Sequence, residues 1–244
     1  MKNRTASIFR LNTVICRSVL TAIMVVVCTA FSYTDLMEIV LRDDCSATSE
    51  LLDPDQNNAD EEDYFAINKK YGVQNLFDGN IATAWVEGAE GDGIGEAVFM
   101  ALPDECDSIK IFSGYGKSEY VFKNNGRVKK LKLACFAGIH RADDVTEIAD
   151  AYKAIKFPKE SYIELEDKFA MQSFKFDFEI RELKEFLEEF VTAYKKTSDT
   201  PILSEIIILK IEIAAVYKGA KYEDTCISEI ALSNKTASGV KTVK

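Results

Sequence analysis

Two polar runs could hold a cation. Asp78-Gly79-Asn80-Ile81-Ala82-Thr83-Ala84-Trp85 and Asp224-Thr225-Cys226-Ile227-Ser228-Glu229-Ile230 carry the hard oxygen atoms that Ca²⁺ takes as ligands. Gly79 permits a positive φ, so the oxygens of Asp78, Asn80 and Thr83 can converge. Glu229 closes the set if the first and last strands share a corner. The same Asp-Gly-Asn spacing also suits a hydrogen-bonded Asx turn with no metal. A second chemistry lies in Gly114-Tyr115-Gly116-Lys117-Ser118-Glu119-Tyr120 and Lys123-Asn124-Asn125-Gly126-Arg127. Sugar recognition uses this mixture: an aromatic ring covers the apolar C–H face, while amides and cations satisfy hydroxyls or an acidic substituent. Tyr115, Lys117, Ser118, Tyr120, Asn125 and Arg127 are the candidates here, joined from a late loop by Tyr217, Lys221, Tyr222 and Asp224. The alternative is that Arg127 and Lys117 pair with neighbouring acids and fasten loops.

Catalysis finds little support. His140 is the one histidine, set in Gly138-Ile139-His140-Arg141 without a Ser or Cys nucleophile motif, and reads as a surface-loop residue. Gly91-x-Gly93-x-Gly95 lacks the helix that a phosphate-cradling loop opens. Carboxylates abound, yet nothing fixes a pair of them at a scissile bond. A binding module is the expectation, not an enzyme.

The elements that must position these residues are mostly strands. Ser108–Ser113, Val128–Phe136, Gln172–Phe178 and Ile206–Val216 alternate or concentrate β-branched and aromatic residues, with Gly, Asn and Asp between them. That rhythm predicts an antiparallel β-sandwich. One segment differs. Arg181–Lys196 places Leu183, Phe186, Leu187, Phe190, Val191 and Tyr194 along one face, with Glu185, Glu188 and Glu189 opposite. It predicts an amphipathic helix, stopped by Ser198–Pro201, that caps an open edge or end of the sandwich or docks another protein.

The N-terminus reads as an export signal over residues 1–32. Lys2, Arg4, Arg10 and Arg17 precede the apolar run Val19–Phe31, which is short for a bilayer span, and Ala30-Phe31-Ser32 offers a small-x-small cleavage pattern. Val25-Val26-Val27 before Cys28 disfavours lipid attachment. Residues 33–64 hold the acid-rich run from Asp43 to Asp63 and read as a disordered spacer. The folded domain is expected over 65–236, with its helical insertion at 181–200 and a tail at 237–244. The whole chain carries a net charge of −10, and the basic leader makes the remainder more acidic still. Such a surface repels nucleic acid and anionic membrane faces. Beyond the leader stand Cys45, Cys106, Cys135 and Cys226. Their pairing stays open, although Cys135 is in phase with Leu131 and Leu133 as a buried thiol would be.

Five ordered blocks carry a resemblance: Thr83–Gly88, Gly91–Glu96, Gly114–Ser118, Asn124–Lys130 and Val216–Ile230. Together they resemble the discoidin or coagulation factor type C family, and within it the glycan-binding module attached to secreted streptococcal NAD glycohydrolases. The resemblance implies an all-β, discoidin-like jelly-roll β-sandwich, here with one inserted amphipathic helix. It implies a structural Ca²⁺ at Asp78, Asn80, Thr83 and Glu229, a core position for Trp85, and a glycan held by the loop residues named above. It implies a bacterial protein, secreted or held in the cell envelope, with no membrane span once the signal is removed. A cell-surface protein is the alternative partner. The helical insertion, and Ser113 where Asn is usual before Gly-Tyr, depart from the family pattern.

Overall fold

The computed structural model describes residues 36–52, 70–145 and 148–233; of residues 145–147 no side chain is described. The signal, the tail and residues 53–64 of the expected spacer lie outside them. Among the described residues ten strands and two α-helices follow in chain order, besides a 3-10 turn at Val73–Leu76: β1 (Met37–Leu41), β2 (Cys45–Ala47), β3 (Trp85–Val86), β4 (Ala97–Ala101), β5 (Ser108–Ser113), α1 (Glu119–Asn124), β6 (Gly126–Val145), β7 (Asp150–Glu164), β8 (Gln172–Lys175), α2 (Ile180–Lys195), β9 (Ile202–Tyr217) and β10 (Thr225–Ser233). The expected strands and helix are all present, and β6 and β9 run longer than their apolar runs suggested.

Two groups of strands face each other. β3, β10, β5 and β8 pair antiparallel on one side, and β4, β9, β6 and β7 on the other. A short parallel contact, Thr225 with Gly126 and Cys226 with Arg127, joins β10 to β6. Trp85, Ile109, Ile111, Ile227 and Ile230 from the first group meet Val98, Leu131, Leu133, Leu209 and Ile211 from the second in the main core. Trp85 is fully buried and its indole N–H donates to Ser49 O at 3.0 Å, which satisfies the one polar atom of its ring.

One expectation is overturned at the N-terminus. Residues 36–47 are not spacer but a hairpin, and its two strands join opposite edges of the same ribbon: β1 pairs with β7 and β2 with β4. The pairings thereby run in a ring, β1-β7-β6-β9-β4-β2, that encloses a second core of Ile39, Leu41, Ala134, Phe136, Tyr152, Ala154 and Ile208. Asp43 and Asp44 form the hairpin turn with φ of 51° and 65°, the left-handed pair that a two-residue turn demands and Asp tolerates. Acid richness misled because those acids occupy the turn, while the inward positions Ile39, Leu41 and Cys45 are apolar and buried.

α2 covers the far end of the ribbon on its other face. Its Phe190, Val191 and Tyr194 pack on Ala137, Ile139 and Ile155, so β6 is buried on both sides there. The helix turns its apolar face inward, as a cap does. His140, expected in a surface loop, lies buried in β6 with Nδ1 2.9 Å from Ala151 O. It occupies the second-core face of a strand that continues well past the last clearly apolar run.

Candidate functional site

The oxygen-rich corner forms as the two polar runs suggested. Gly79 adopts φ 72°. Asp78 Oδ1 accepts from Asn80 N at 2.8 Å, Asp78 Oδ2 from Thr83 Oγ1 at 2.6 Å, and Asn80 Oδ1 from Ala82 N at 3.0 Å. β10 carries Glu229 to this turn. Its side chain is only 8% exposed, and its Oε2 has no hydrogen-bond partner. Burial pushes the Glu229 carboxyl up, as does the charge of Asp78, against the pull of the Asn80 and Gly79 amides. An orphaned, buried carboxylate oxygen beside a second carboxylate is costly without a cation. Asp78, Asn80, Thr83 and Glu229 therefore fit a hard divalent ion. Among the described residues no trio of His, Cys, Asp or Glu forms a metal cluster, so such an ion would need main-chain and amide oxygens as well.

The ten candidate ligand residues divide into two groups. Arg127 is 5% exposed and fastens loops, the alternative its sequence setting allowed. Its Nε and an Nη each bond Asp167 at 3.0 Å, and its other Nη donates to Asn125 O at 2.8 Å and Lys218 O at 3.0 Å. The guanidinium holds the Asp167 carboxyl below its usual range. Asn125 is likewise structural, since its amide nitrogen donates to Val121 O at 2.8 Å and closes the end of α1. Tyr217 donates its hydroxyl to Leu165 O at 3.0 Å and lies beneath Lys129. Tyr115 is half-buried against Ala84, Val86 and Cys226, and burial pushes its hydroxyl up. Ser118 accepts from Val121 N and caps α1.

A surface platform remains. Tyr120 is 75% exposed and Tyr222 45%, and Lys117 and Lys221 are exposed as well. Lys221 Nζ lies 4.8 Å from the Tyr222 ring centroid. Its ammonium is held up by a hydrogen bond to Tyr222 and feels Tyr120 as well. The 219–222 loop reaches these positions because Ala220 N bonds Lys123 O, and the amides of Lys221 and Tyr222 bond Asn124 O. Lys221 interacts with both Tyr222 and Tyr120, so the two tyrosines stand near one lysine at the end of α1. Asp224, half-buried at the base of the loop, has its carboxyl pushed up by burial and by Glu223.

The sequence reading missed Phe169 and Asp167. Phe169 stacks edge-on against Phe112 at 5.3 Å and Phe122 at 5.5 Å. The signal was a Phe-Ala-Met run inside an otherwise charged loop. A groove of about 510 Å³ lined by Asp104, Phe176, Phe178 and Arg181 lies by the start of β5, at the opposite end of that strand from the Gly114 loop.

The family described as the NAD glycohydrolase translocation F5/8 type C domain matches residues 53–233. The chain belongs to that family. It is a family of modules, and its fold here is the discoidin-like β-sandwich with one inserted helix. The hairpin of β1 and β2 precedes the matched residues. No curated protein matches the chain. Among solved structures, the chain is similar to the Clostridium perfringens module CpGH89CBM32-5 in complex with GalNAc-β-1,3-galactose (12% identity, TM-score 0.38, 77% of this chain and 92% of that one). It is also similar to the C-terminal domain of a Bacteroides fragilis chitobiase (14%, 0.37, 83% and 95%). An F5/8 type C domain from Bacteroides fragilis is a further likeness (11%, 0.35, 82% and 97%). No helix among the described residues is long and apolar enough to cross a membrane.

Proposed function

We propose that this protein is an exported bacterial, non-catalytic carbohydrate-binding module whose ligand rests on Tyr120 and Tyr222. The observation that carries this reading is the exposed pair of tyrosines, with Lys221 against one ring and α1 supporting both. Two rigid aromatic faces with few rotatable bonds offer apolar area to a sugar ring at low entropic cost, and the lysine ammoniums of Lys117 and Lys221 supply donors to hydroxyls or an acid group. Arg127 supports this surface from beneath, tying α1, the loop after β9 and Asp167 to one buried centre. In this reading a structural Ca²⁺ sits at Asp78, Asn80, Thr83 and Glu229, where it would neutralise the paired carboxylates. A catalytic reading gains nothing from His140, which is buried in the ribbon and bonded to main chain. Docking of a protein partner through α2 is disfavoured because Leu183, Phe190, Val191 and Tyr194 of that helix are buried.

The test is a glycan array with residues 33–244, run with calcium and with chelator, beside a Tyr120→Ala/Tyr222→Ala double variant. Selective binding is expected, weakened at least about tenfold in the variant with unchanged thermal stability. Undiminished binding by the variant would place the sugar elsewhere. A blank array from folded protein would end the carbohydrate reading.

A further inference from the structure

β8 stands at an open edge of the sandwich. It pairs with β5 and, among the described residues, with no other strand. Phe176 N donates to Asp107 O at 3.0 Å, and from there the register runs back through Lys175 opposite Ser108, Phe174 opposite Ile109 and Ser173 opposite Lys110. Bonded and unbonded pairs alternate in an antiparallel ladder. Phe174 and Phe176 therefore turn their main chain to β5, while Ser173, Lys175 and Asp177 turn theirs outward. Those three residues are exposed, and among the described residues no main-chain hydrogen bond outside the ladder reaches them. Such an edge is a template for one more strand.

Beside the end of that edge lies the groove of about 510 Å³. Phe176 and Phe178 line it, with four carboxylates, Glu105 and Glu179 among them, against two cations. Part of this charge is already spent: Lys184 reaches Asp104 at 3.0 Å, and Glu185 reaches Arg181 at 3.5 Å. Glu105 and Glu179 have no counterion among the described residues.

The chain itself carries a segment of opposite charge at this place. β10 ends at Ser233, whose carbonyl oxygen accepts from Asp107 N at 3.2 Å, so the sequence continues from the wall of the groove. Residues 234–244 hold Lys235, Lys241 and Lys244 and no acid, in a chain whose net charge is −10. Val240, Thr242 and Val243 among them are residues that strands favour. β10 runs parallel to β8, because each is antiparallel to β5. A segment that crosses from Ser233 past β8 thus returns antiparallel along it. The crossing spans three strand spacings, about 14 Å, which about five extended residues cover at roughly 3.3 Å each. Residues 234–238 suffice for it, and 239–244 remain to match the edge.

We propose that residues 234–244 dock on their own molecule: Lys235 crosses the groove among its carboxylates, and 239–244 add a strand to the outer edge of β8. Opposite charges hold the crossing, and the outward amides and carbonyls of Ser173, Lys175 and Asp177 gain partners in the added strand. The docking stands apart from the sugar reading, and a blank glycan array leaves it untouched.

Hydrogen exchange on the full chain at low ionic strength tests it. The Ser173, Lys175 and Asp177 amides are expected to exchange at least about tenfold more slowly than their intrinsic rates. Lys235→Glu/Lys241→Glu/Lys244→Glu is expected to remove that protection and to leave the Phe174 and Phe176 amides, which face β5, unchanged. Wild-type amides that exchange at intrinsic rates overturn the docking, and so does a triple variant that keeps them protected. Glu105→Lys is expected to cost about twofold or more of the protection, with exposed Glu90→Lys as a control that costs none; equal losses overturn the crossing over the groove. Protection that grows with protein concentration, with a dimer in light scattering, overturns docking on the same molecule and gives the edge to a second copy.

Discussion

Arg127 shows how the fold chooses between two roles that one residue type allows. An arginine between Gly126 and a strand looks like a ligand donor in sequence, because nothing there announces Asp167, which closes the ion pair from forty positions downstream. Once buried, the planar guanidinium is valued for its fixed fork, which bonds a carboxylate with two nitrogens and still reaches two carbonyls. Arg127→Ala is therefore expected to lower stability by about 3 kcal/mol, the lower end for a broken buried pair because Asp167 keeps partial solvent access. Arg127→Lys should recover little of it. Urea unfolding measures both. The stabilisation should fade in acid, since Asp167 is held below its ordinary range and the pair is lost as pH falls through that lowered value. An Arg127→Ala protein of wild-type stability would show that the fork is not structural.

At the scale of elements, the two additions to the sandwich bury opposite faces of one ribbon. α2 lies on the face of β6 that carries Ala137 and Ile139, and the β1–β2 hairpin closes the face that carries Ala134 and Phe136. The platform stands at the other end of β6. Phe190 packs by Ile139, and from Gly126 to Ile139 the strand runs about 40 Å at roughly 3.3 Å per residue. Phe190→Ala is accordingly expected to cost about 3–5 kcal/mol of stability with glycan affinity unchanged at a temperature where the variant stays folded. Calorimetry and a binding isotherm test the two halves separately; a weakened isotherm would mean that the ends are coupled.

For the molecule as a whole, the charge balance and the four thiols set the conditions under which it works. Cys45, Cys106, Cys135 and Cys226 are free and buried. Burial pushes Cys45 up to about 11 and Cys135 up to about 12, and among the described residues no disulfide crosslinks the fold. The acidic corner at Glu229 is then a global lever. If calcium occupies it, the melting temperature is expected to rise with calcium, by the equivalent of about 2.7 kcal/mol at a hundredfold excess over Kd. Glu229→Gln should abolish the rise. A calcium-insensitive melting curve for wild type would leave the corner as a plain Asx turn.

Sequence alone determined the strand-rich class, the amphipathic helix within a residue at each end, the in-phase burial of Cys135 and the Asp-Gly-Asn turn, while the core position of Trp85 came from the family resemblance. These follow from local periodicity and from turn chemistry, which a short window contains. Tertiary structure decided the rest. Whether Arg127 and Tyr217 face solvent or main chain depends on partners far along the chain, Leu165, Asp167 and Lys218 among them. The acid-rich hairpin became a structural strap because its apolar residues, few in number, meet a core built by strands a hundred positions away. Exposure is a property of three-dimensional neighbours, and so the choice of Tyr120 and Tyr222 from ten candidate residues belongs to the fold.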